Sequence, residues 1–389
     1  QEFLRSLAEN IRDAPALLPP FGDRLKTGPL GLAGSVYWEP DPNLDMDYHV
    51  RHSALPKPGR YRELFTLVSR LHGTLLERTR PLWEMHLIEG LPNRQFAVYN
   101  KTHHAAVDGA RSIHVSRSML SSDPNYIREE SPLSLASWQK YKENLRLGKR
   151  PEYSDQEMRT VADMIKSSLD SGTNIFHALS GFTRAWAGRD SGLSLPHLKV
   201  PQSSINTSID GARRFVAQSW PFARIKAVAR AFDGTFNDAV LAMCAGALRQ
   251  YLTNHAELPG ESLKAMVPVS LRREGDVDAG NAVAAISADL ATNIADPAQR
   301  FRAIQASVQA GKDYYRQMSA KELELFTLIM QVPSLLLQPL GLMPRLPPYN
   351  TVISNVPGIN QTMYWNGARM DGSYPLSSVT EGISMNITL

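Results

Sequence analysis

The chain has 389 residues, enough for two or three domains of ordinary size and a substantial hydrophobic core. Hydrophobic residues make up 43% of it and charged residues 21%, a globular composition that excludes a largely disordered chain. The net charge of +4 permits contact with anionic lipid or a phosphorylated substrate but does not indicate a nucleic-acid-binding protein, and no nucleic-acid partner is expected.

The N-terminal third alternates helical and strand patterns. Phe3, Leu4, Leu7 and Ile11 recur at the spacing of one helix face, so the chain is predicted to open in an amphipathic helix. A second helix is predicted over 62–78, ended by Pro81. The alternating runs 83–89 and 95–101, joined by Gly-Leu-Pro-Asn, predict a β-hairpin in which Trp83 packs against the core, and a helix is expected over 110–120.

The middle of the chain reads as a connection between two halves. From about 121 to 208 proline and serine increase and charges cluster, which predicts a long helical and loop crossover. We therefore expect an N-terminal half over 1–130, a crossover over 131–212 and a C-terminal half over 213–389. The expected fold class is mixed α/β, with at least one sizeable sheet in each half.

The C-terminal half begins with a predicted helix over 222–232. Thr235-Phe236-Asn237-Asp238 resembles a capping box before a longer helix, on which Cys244 points into the core and is inert. Strands are predicted over 266–271, 282–291, 351–356 and 383–389.

A charge-free stretch over 325–344 is long enough to cross a bilayer, but three prolines interrupt it. It predicts broken, partly buried or interfacial helices that help the protein to contact lipid. The chain shows no secretory signal and its single cysteine, Cys244, suits a reducing compartment, so a cytoplasmic protein is expected.

The most informative motif is His-His-Ala-Ala-Val-Asp-Gly, from His103 to Gly109, at the end of a predicted strand. Adjacent side chains at a strand end point to opposite sides, which argues against both histidines binding one metal ion, and no metal site is predicted. A single exposed imidazole is suited to general-base catalysis, because its ordinary pKa near 6.5 leaves a neutral ring at pH 7. The alternative is a pair of core histidines beside Asp108, whose carboxylate returns toward the strand end through the turn at Gly109.

Motifs of other enzyme classes were not found. The sequence contains no Gly-x-Ser-x-Gly nucleophile elbow, no phosphate-binding P-loop, no Gly-x-Gly-x-x-Gly dinucleotide loop and no His-Glu-x-x-His zinc helix. A nucleophilic hydrolase, a nucleotide-phosphate loop and a zinc hydrolase are therefore not supported.

Six collinear segments carry a family resemblance. They are P-L-W-E-M-H-L-I-E-G-L, H-H-A-A-V-D-G, F-N-D-A-V-L-A, V-P-V-S-L-R, I-S-N-V-P-G and Y-P-L-S with M-N-I-T-L. Their order and spacing resemble the bacterial wax ester synthase/diacylglycerol acyltransferase family over the whole chain outside the crossover. Members of that family begin with a further strand-bearing segment and continue past N-I-T-L, so we expect this chain to be truncated at both ends.

The resemblance implies a fold of the chloramphenicol acetyltransferase type, in which two halves, each a mixed sheet with flanking helices, meet at a tunnel. It also implies transfer of an acyl group from acyl-CoA to a long-chain alcohol or diacylglycerol, with acyl-CoA as substrate and no cofactor. By the same resemblance His104 is the general base, with His103 beside it, and Asp108 is structural, pairing with Arg272.

Further roles follow from this mechanism. Asn237, at a helix start, is a candidate donor to the oxyanion, and the alternative is that Asn237 and Asp238 only cap the helix. Gly109 and Asn355 are expected to support the active site, Asn355 where the halves meet. Cations at a tunnel mouth would bind the phosphates of CoA, and the candidates are Arg213, Arg214, Arg273 and Lys312.

Two alternatives to this enzyme remain open. One is another acyltransferase of the same superfamily that uses an acyl group bound to a carrier protein. The other is an inactive protein of lipid inclusions, against which the intact His104 and Asp108 count. In either case the expected location is the cytoplasm, peripherally at a membrane or lipid-inclusion surface.

Overall fold

The structure, a computed structural model, describes residues 2–28, 36–107, 109–146, 200–270, 283–316, 341–356, 358–359 and 361–389. The chain divides into two compact units. Among the described residues the first unit comprises 2–146, 211–217 and 358–374, and the second comprises 200–210, 218–356 and 375–389. Residues 131–146, expected in the crossover, and residues 358–374, expected in the C-terminal half, thus cluster with the first unit.

The first unit contains most of the early helices and strands. In chain order these elements are α1 (Glu2–Arg12), β1 (Asp23–Thr27), β2 (Val36–Pro40), α2 (Met46–His49), β3 (Val50–Ala54), α3 (Tyr61–Gly73), β4 (Trp83–Glu89), β5 (Ala97–Thr102), α4 (Gly109–Ser118) and α5 (Leu135–Arg146).

The later elements belong mainly to the second unit. They are α6 (Phe222–Ala231), α7 (Phe236–Asn254), β6 (Lys264–Ser270), β7 (Val283–Asp289), α8 (Pro297–Arg316), β8 (Thr351–Ser354), β9 (Tyr364–Trp365), β10 (Ala368–Arg369) and β11 (Asn386–Thr388). Of these, the short hairpin β9–β10 lies in the first unit.

The main sheet of the first unit has β4 at its centre, parallel to β3 and antiparallel to β5. The predicted β-hairpin is confirmed, and β4 has the predicted bounds. A short 3-10 helix over Pro92–Arg94 makes its turn. The turn begins at Gly90, which has a φ of +102° and approaches Gly59 so closely that a Cβ on Gly59 would lie 1.8 Å from the Gly90 carbonyl oxygen.

The core of the first unit lies under this sheet. Trp83 is buried, its indole N–H donates to the carbonyl of Phe21 over 2.7 Å, and its ring stacks on His49 at 4.6 Å, which confirms its predicted packing role. The predicted first helix is also confirmed, because α1 buries Leu4, Leu7, Ala8 and Ile11 in the same cluster. A late residue, Trp365 of β9, completes that cluster.

Helix α3 ends five residues earlier than predicted, at Gly73 instead of residue 78. A Cβ at residue 73 would lie 2.2 Å from the carbonyl oxygen of Gly211, so the segment 211–217 crosses the helix end closely. The hydroxyl of Ser69 accepts the Phe215 N–H over 2.8 Å in the same region. Leu75, which the helix predicted over 62–78 would have included, therefore lies beyond the helix and is 91% exposed.

The second unit is built on a four-stranded mixed sheet in the order β11-β8-β6-β7. Helices α7 and α8 cover it, and a Cβ on Gly311 of α8 would lie 2.5 Å from the Ile286 side chain of β7, so this helix needs glycine to approach the sheet. Cys244 is buried on α7 and burial raises its pKa to about 11, which confirms its predicted place in the core.

Two buried asparagines, Asn206 and Asn350, connect separate segments of the second unit by hydrogen bonds. The Asn350 side-chain amide donates to the Asn206 side-chain oxygen over 2.7 Å and to the Pro201 carbonyl, and its own oxygen accepts the Lys264 N–H over 2.9 Å. The Asn206 amide donates in turn to the Gly382 carbonyl over 2.8 Å. Asn350 is fully buried, so these bonds join the start of β8 to the chain entering and leaving the sheet.

We predict that Asn350→Ala lowers the free energy of unfolding by about 2–4 kcal/mol, because it leaves several buried polar partners without a hydrogen bond. Urea denaturation followed by circular dichroism measures the change. Asn254→Ala, at the exposed end of α7, is the matched control and is expected to change stability by less than about 0.5 kcal/mol. Equal effects of the two substitutions would contradict the structural role of the buried pair.

Candidate active site

The His-His motif forms a tight turn directly after β5. The His103 N–H donates to the Leu82 carbonyl over 2.9 Å, one step beyond the last β4–β5 residue pair. The N–H groups of Ala106 and Val107 both donate to the His103 carbonyl, over 2.9 and 3.3 Å. Val107 then enters the core of the first unit, so both ends of the turn are fixed before α4 begins at Gly109.

The two histidines have different roles in this turn. The Nδ1 atom of His103 accepts the Ala105 N–H over 3.1 Å, which ties this ring to its own backbone. Although the His103 side chain is exposed, its partial desolvation lowers its pKa, and the neighbouring Arg78 and His104 lower it further, which favours the neutral ring. The His104 side chain is exposed and makes no hydrogen bond to another described residue.

Both histidines are exposed, so the alternative of two core histidines is wrong. The strand ends at Thr102, so both histidines lie in the turn, and the hydrogen bond from the Ala105 N–H to His103 Nδ1 distinguishes the two rings. His104 is therefore the ring of this pair that makes no hydrogen bond within the described part of the chain.

Several predicted residues lie outside the described part of the chain. Asp108, Arg272 and Arg273 are among them, so the expected pair of Asp108 with Arg272 stays a prediction. Most of the charge-free stretch 325–344 is also outside it, apart from 341–344. Gly109 is the first residue of α4.

The first turn of α7 carries the predicted capping box, which is confirmed. The Asp238 carboxylate accepts the N–H and the hydroxyl of Thr235, both over 2.8 Å, and the Thr235 hydroxyl accepts the Asp238 N–H over 3.2 Å. Thr235 and Asp238 thus do the capping, which confirms a capping role for Asp238, and the side chain of Asn237 takes no part in these hydrogen bonds. The half-buried amide of Asn237 makes no hydrogen bond to another described residue.

The remaining predicted residues lie in different units. In the second unit, Asn355 is half-buried just after β8. In the same unit, Lys312 on α8 lines a cavity of about 380 Å³ together with Arg302 and Asp238. Arg213 and Arg214 belong to the segment that packs with the first unit. Arg214 is exposed, and Arg213 is half-buried and donates to the Ala212 carbonyl over 2.7 Å.

A buried charge cluster that was not predicted lies at the base of the histidine turn. Lys101 and Glu84 face each other across β5 and β4, with 3.2 Å between the ammonium nitrogen and a carboxylate oxygen. Arg51 Nη1 and His86 Nε2 lie 3.4 and 3.7 Å from the other oxygen. Burial alone raises the pKa of Glu84, but His86 and Lys101 outweigh it and lower this pKa to about 2.

Lys101 also reaches the end of α3. Its ammonium donates to the Leu71 carbonyl over 2.8 Å and to the Thr74 carbonyl, so it caps the C-terminus of that helix. The signal in the sequence was a Glu and a Lys at facing positions of the predicted hairpin.

In the described residues no group of three or more metal-binding side chains is placed to hold an ion.

Comparison with known proteins gives a consistent assignment. The profile described as the wax ester synthase/diacylglycerol acyltransferase catalytic domain matches residues 1–240, and that of the C-terminal domain of the same family matches 279–389. A probable diacylglycerol O-acyltransferase of Mycobacterium tuberculosis is 40% identical over 390 residues, which span 100% of this chain and 83% of that protein. The O-acyltransferase WSD of Acinetobacter baylyi is 37% identical over an alignment that spans 100% of this chain and 81% of that protein.

Solved structures agree with the sequence comparisons. The wax ester synthase/diacylglycerol acyltransferase of Marinobacter aquaeolei superposes with a TM-score of 0.73 at 34% identity, over 100% of this chain and 81% of that one. A condensation domain of the calcium-dependent antibiotic synthetase superposes with a TM-score of 0.50 at 15% identity, over 92% and 72% of the two chains, which shows the fold alone. The predicted fold class is confirmed, and the chain belongs to the wax ester synthase/diacylglycerol acyltransferase family.

Proposed function

We propose that this protein transfers a long-chain acyl group from acyl-CoA to the hydroxyl of a fatty alcohol or of diacylglycerol, with His104 as the general base. The observation that carries this proposal is the exposed imidazole of His104, which the turn leaves unbound while it ties up His103. The acyltransferase names of its relatives support the reaction class.

The proposed reaction needs one proton acceptor and no covalent intermediate. A neutral ring nitrogen of His104 takes the hydroxyl proton as the alcohol oxygen attacks the thioester carbon. The carbon–sulfur bond then breaks, and the protonated ring returns its proton to the thiolate of CoA. Cys244 is a poor nucleophile for an acyl-enzyme route, because it is buried and its raised pKa keeps it protonated.

Charge develops on the thioester oxygen in this step and requires donors. Asn237 is our candidate, because its amide is not used by the helix cap and it stands in the first turn of α7, where the helix dipole favours a negative charge. Gly109 at the start of α4 and Asn355 after β8 are assigned supporting roles, and Arg213, Arg214, Arg273 and Lys312 remain candidates for the phosphates of CoA.

We further propose peripheral contact with a membrane or lipid inclusion through α6. This helix carries Arg224, Lys226 and Arg230 and no acidic residue. Trp220 is 49% and Phe222 61% exposed at its start. Exposed aromatic side chains beside cations are typical of helices that lie in the headgroup region of an anionic bilayer.

Among the helices of the described residues, none combines the length and the apolar character that a membrane span requires.

Replacing His104 tests the proposed base. We expect His104→Ala to lower kcat at least about 100-fold with an unchanged melting temperature, because it removes the proton acceptor from an exposed position. Purified protein is assayed with labelled palmitoyl-CoA, with hexadecanol and dioleoylglycerol offered in parallel.

Two variants serve as comparisons for that loss. His103→Ala is expected to lose less activity, because its ring serves the turn, and His255→Ala, an exposed histidine at the end of α7, is expected to retain full activity. Equal losses at positions 103 and 104 would show that the base is wrongly assigned.

The acyl donor is tested separately. The wild-type protein is expected to turn over free palmitoyl-CoA with either acceptor. Activity only with acyl groups on a carrier protein would favour the other acyltransferases of the superfamily, and inactivity with both donors would favour an inactive protein of lipid inclusions.

The lipid contact is tested on α6. We expect the double variant Trp220→Ala/Phe222→Ala to bind vesicles of phosphatidylserine and phosphatidylcholine at least about tenfold more weakly, because it removes two aromatic anchors. Vesicle sedimentation measures the binding. Tyr37→Ala removes a similarly exposed aromatic from β2 and is expected to leave binding unchanged, and equal binding by all three proteins would exclude this helix as the contact.

A further inference from the structure

We propose that Lys101, paired with Glu84, is a positioning residue that holds the His103–His104 turn in its reactive place. The inference rests on the proposed function, since it assigns a purpose to the position of His104. It concerns residues that the catalytic proposal does not use.

All three N–H donors of the Lys101 ammonium are engaged within the first unit. They meet the carbonyls of Leu71 and Thr74 and the carboxylate of Glu84. The side chains of Lys101 and Glu84 are only 11% and 7% exposed. Such a group is rare in protein interiors, because an ammonium must give up its hydration to be there.

Stability alone does not account for the pair. Replacing both members of a buried ion pair with neutral side chains of similar volume is often neutral or stabilising. The pair also restricts the position of the backbone, because an ammonium bound to three fixed acceptors holds the residue that carries it in one place. An apolar pair would fill the same volume without fixing the end of β5.

The part of the chain that Lys101 fixes is the end of β5, directly before the histidine turn. Lys101 precedes His103 by two residues and faces Glu84 in the strand register. Its other two acceptors lie at the end of α3, so one side chain ties β5, β4 and α3 together. A displacement of about 1 Å in a catalytic group costs on the order of 100-fold in rate, so the turn needs such a tie.

The same tie orients the segment that follows α3. Thr74 begins this segment, and Arg78 further along it lies near enough to His103 to lower the pKa of that ring. Loosening Lys101 is therefore expected to let both the turn and this segment move. Such movement reduces the partial desolvation of His103 and its repulsion by Arg78, which raises the pKa of this ring toward its ordinary value.

The test compares Lys101→Met with the double variant Lys101→Met/Glu84→Gln. We expect kcat to fall about 10- to 100-fold in both, with the KM for palmitoyl-CoA within twofold of wild type. The single variant leaves a buried carboxylate with fewer partners, so its melting temperature falls by about 3 °C or more, and the double variant recovers most of that loss.

The matched control is Lys26→Met, which removes the ammonium 2.8 Å from Glu39 on the β1–β2 hairpin and is expected to keep wild-type turnover. Recovery of kcat together with stability in the double variant would overturn the proposal, since the pair would then be merely structural. Unchanged kcat in Lys101→Met would overturn it as well.

A readout without substrate separates this inference from the proposed function. Proton NMR titration is expected to show a raised His103 pKa in both Lys101 variants. In Lys26→Met the His103 pKa is expected to equal that of the wild type. If the wild-type protein proves inactive, the proposed function fails while this titration still decides the inference. An unmoved His103 pKa in the Lys101 variants would overturn it.

Discussion

The pairing of β4 with β5 is the interaction on which the candidate site depends. It brings Glu84 opposite Lys101 and ends one step before His103, whose N–H continues the ladder to Leu82. The strand pair alone would leave its last residues free to fray. The buried ammonium of Lys101 prevents this by joining the strand end to α3, so the histidine turn starts from a fixed point.

The second unit reaches the same kind of order by neutral hydrogen bonds. Asn206 and Asn350 bind each other and the backbone around them inside the core, just before β8 begins, where a buried charge would be costly. The cap of α7 works likewise, because Asp238 and Thr235 satisfy each other. Asn237 is thereby left available in a turn whose backbone is already fixed.

Much of the fold followed from the sequence, since periodicity marked α1, the β4–β5 hairpin, the cap of α7 and the buried Cys244. These features depend on neighbours in the chain. The early end of α3 could not be predicted, because Gly211, 138 positions away, sets it (211 − 73). The charge cluster was likewise hidden until strand register placed Lys101 against Glu84. The β9–β10 hairpin does carry a local turn signal, Asn366-Gly367, and both residues have a positive φ.

The hairpin β9–β10 gives the first unit a discontinuous origin in the chain. Tyr364 pairs with Ser121 in both directions, over 2.7 and 2.8 Å, and Trp365 is 7% exposed in a core otherwise built from residues before 136 and Trp138. During synthesis, therefore, the early part of the chain emerges from the ribosome more than two hundred residues before its core can close. Until then its unfilled apolar surface is exposed to chaperones, and most of the second unit, up to Val356, emerges before the first is complete.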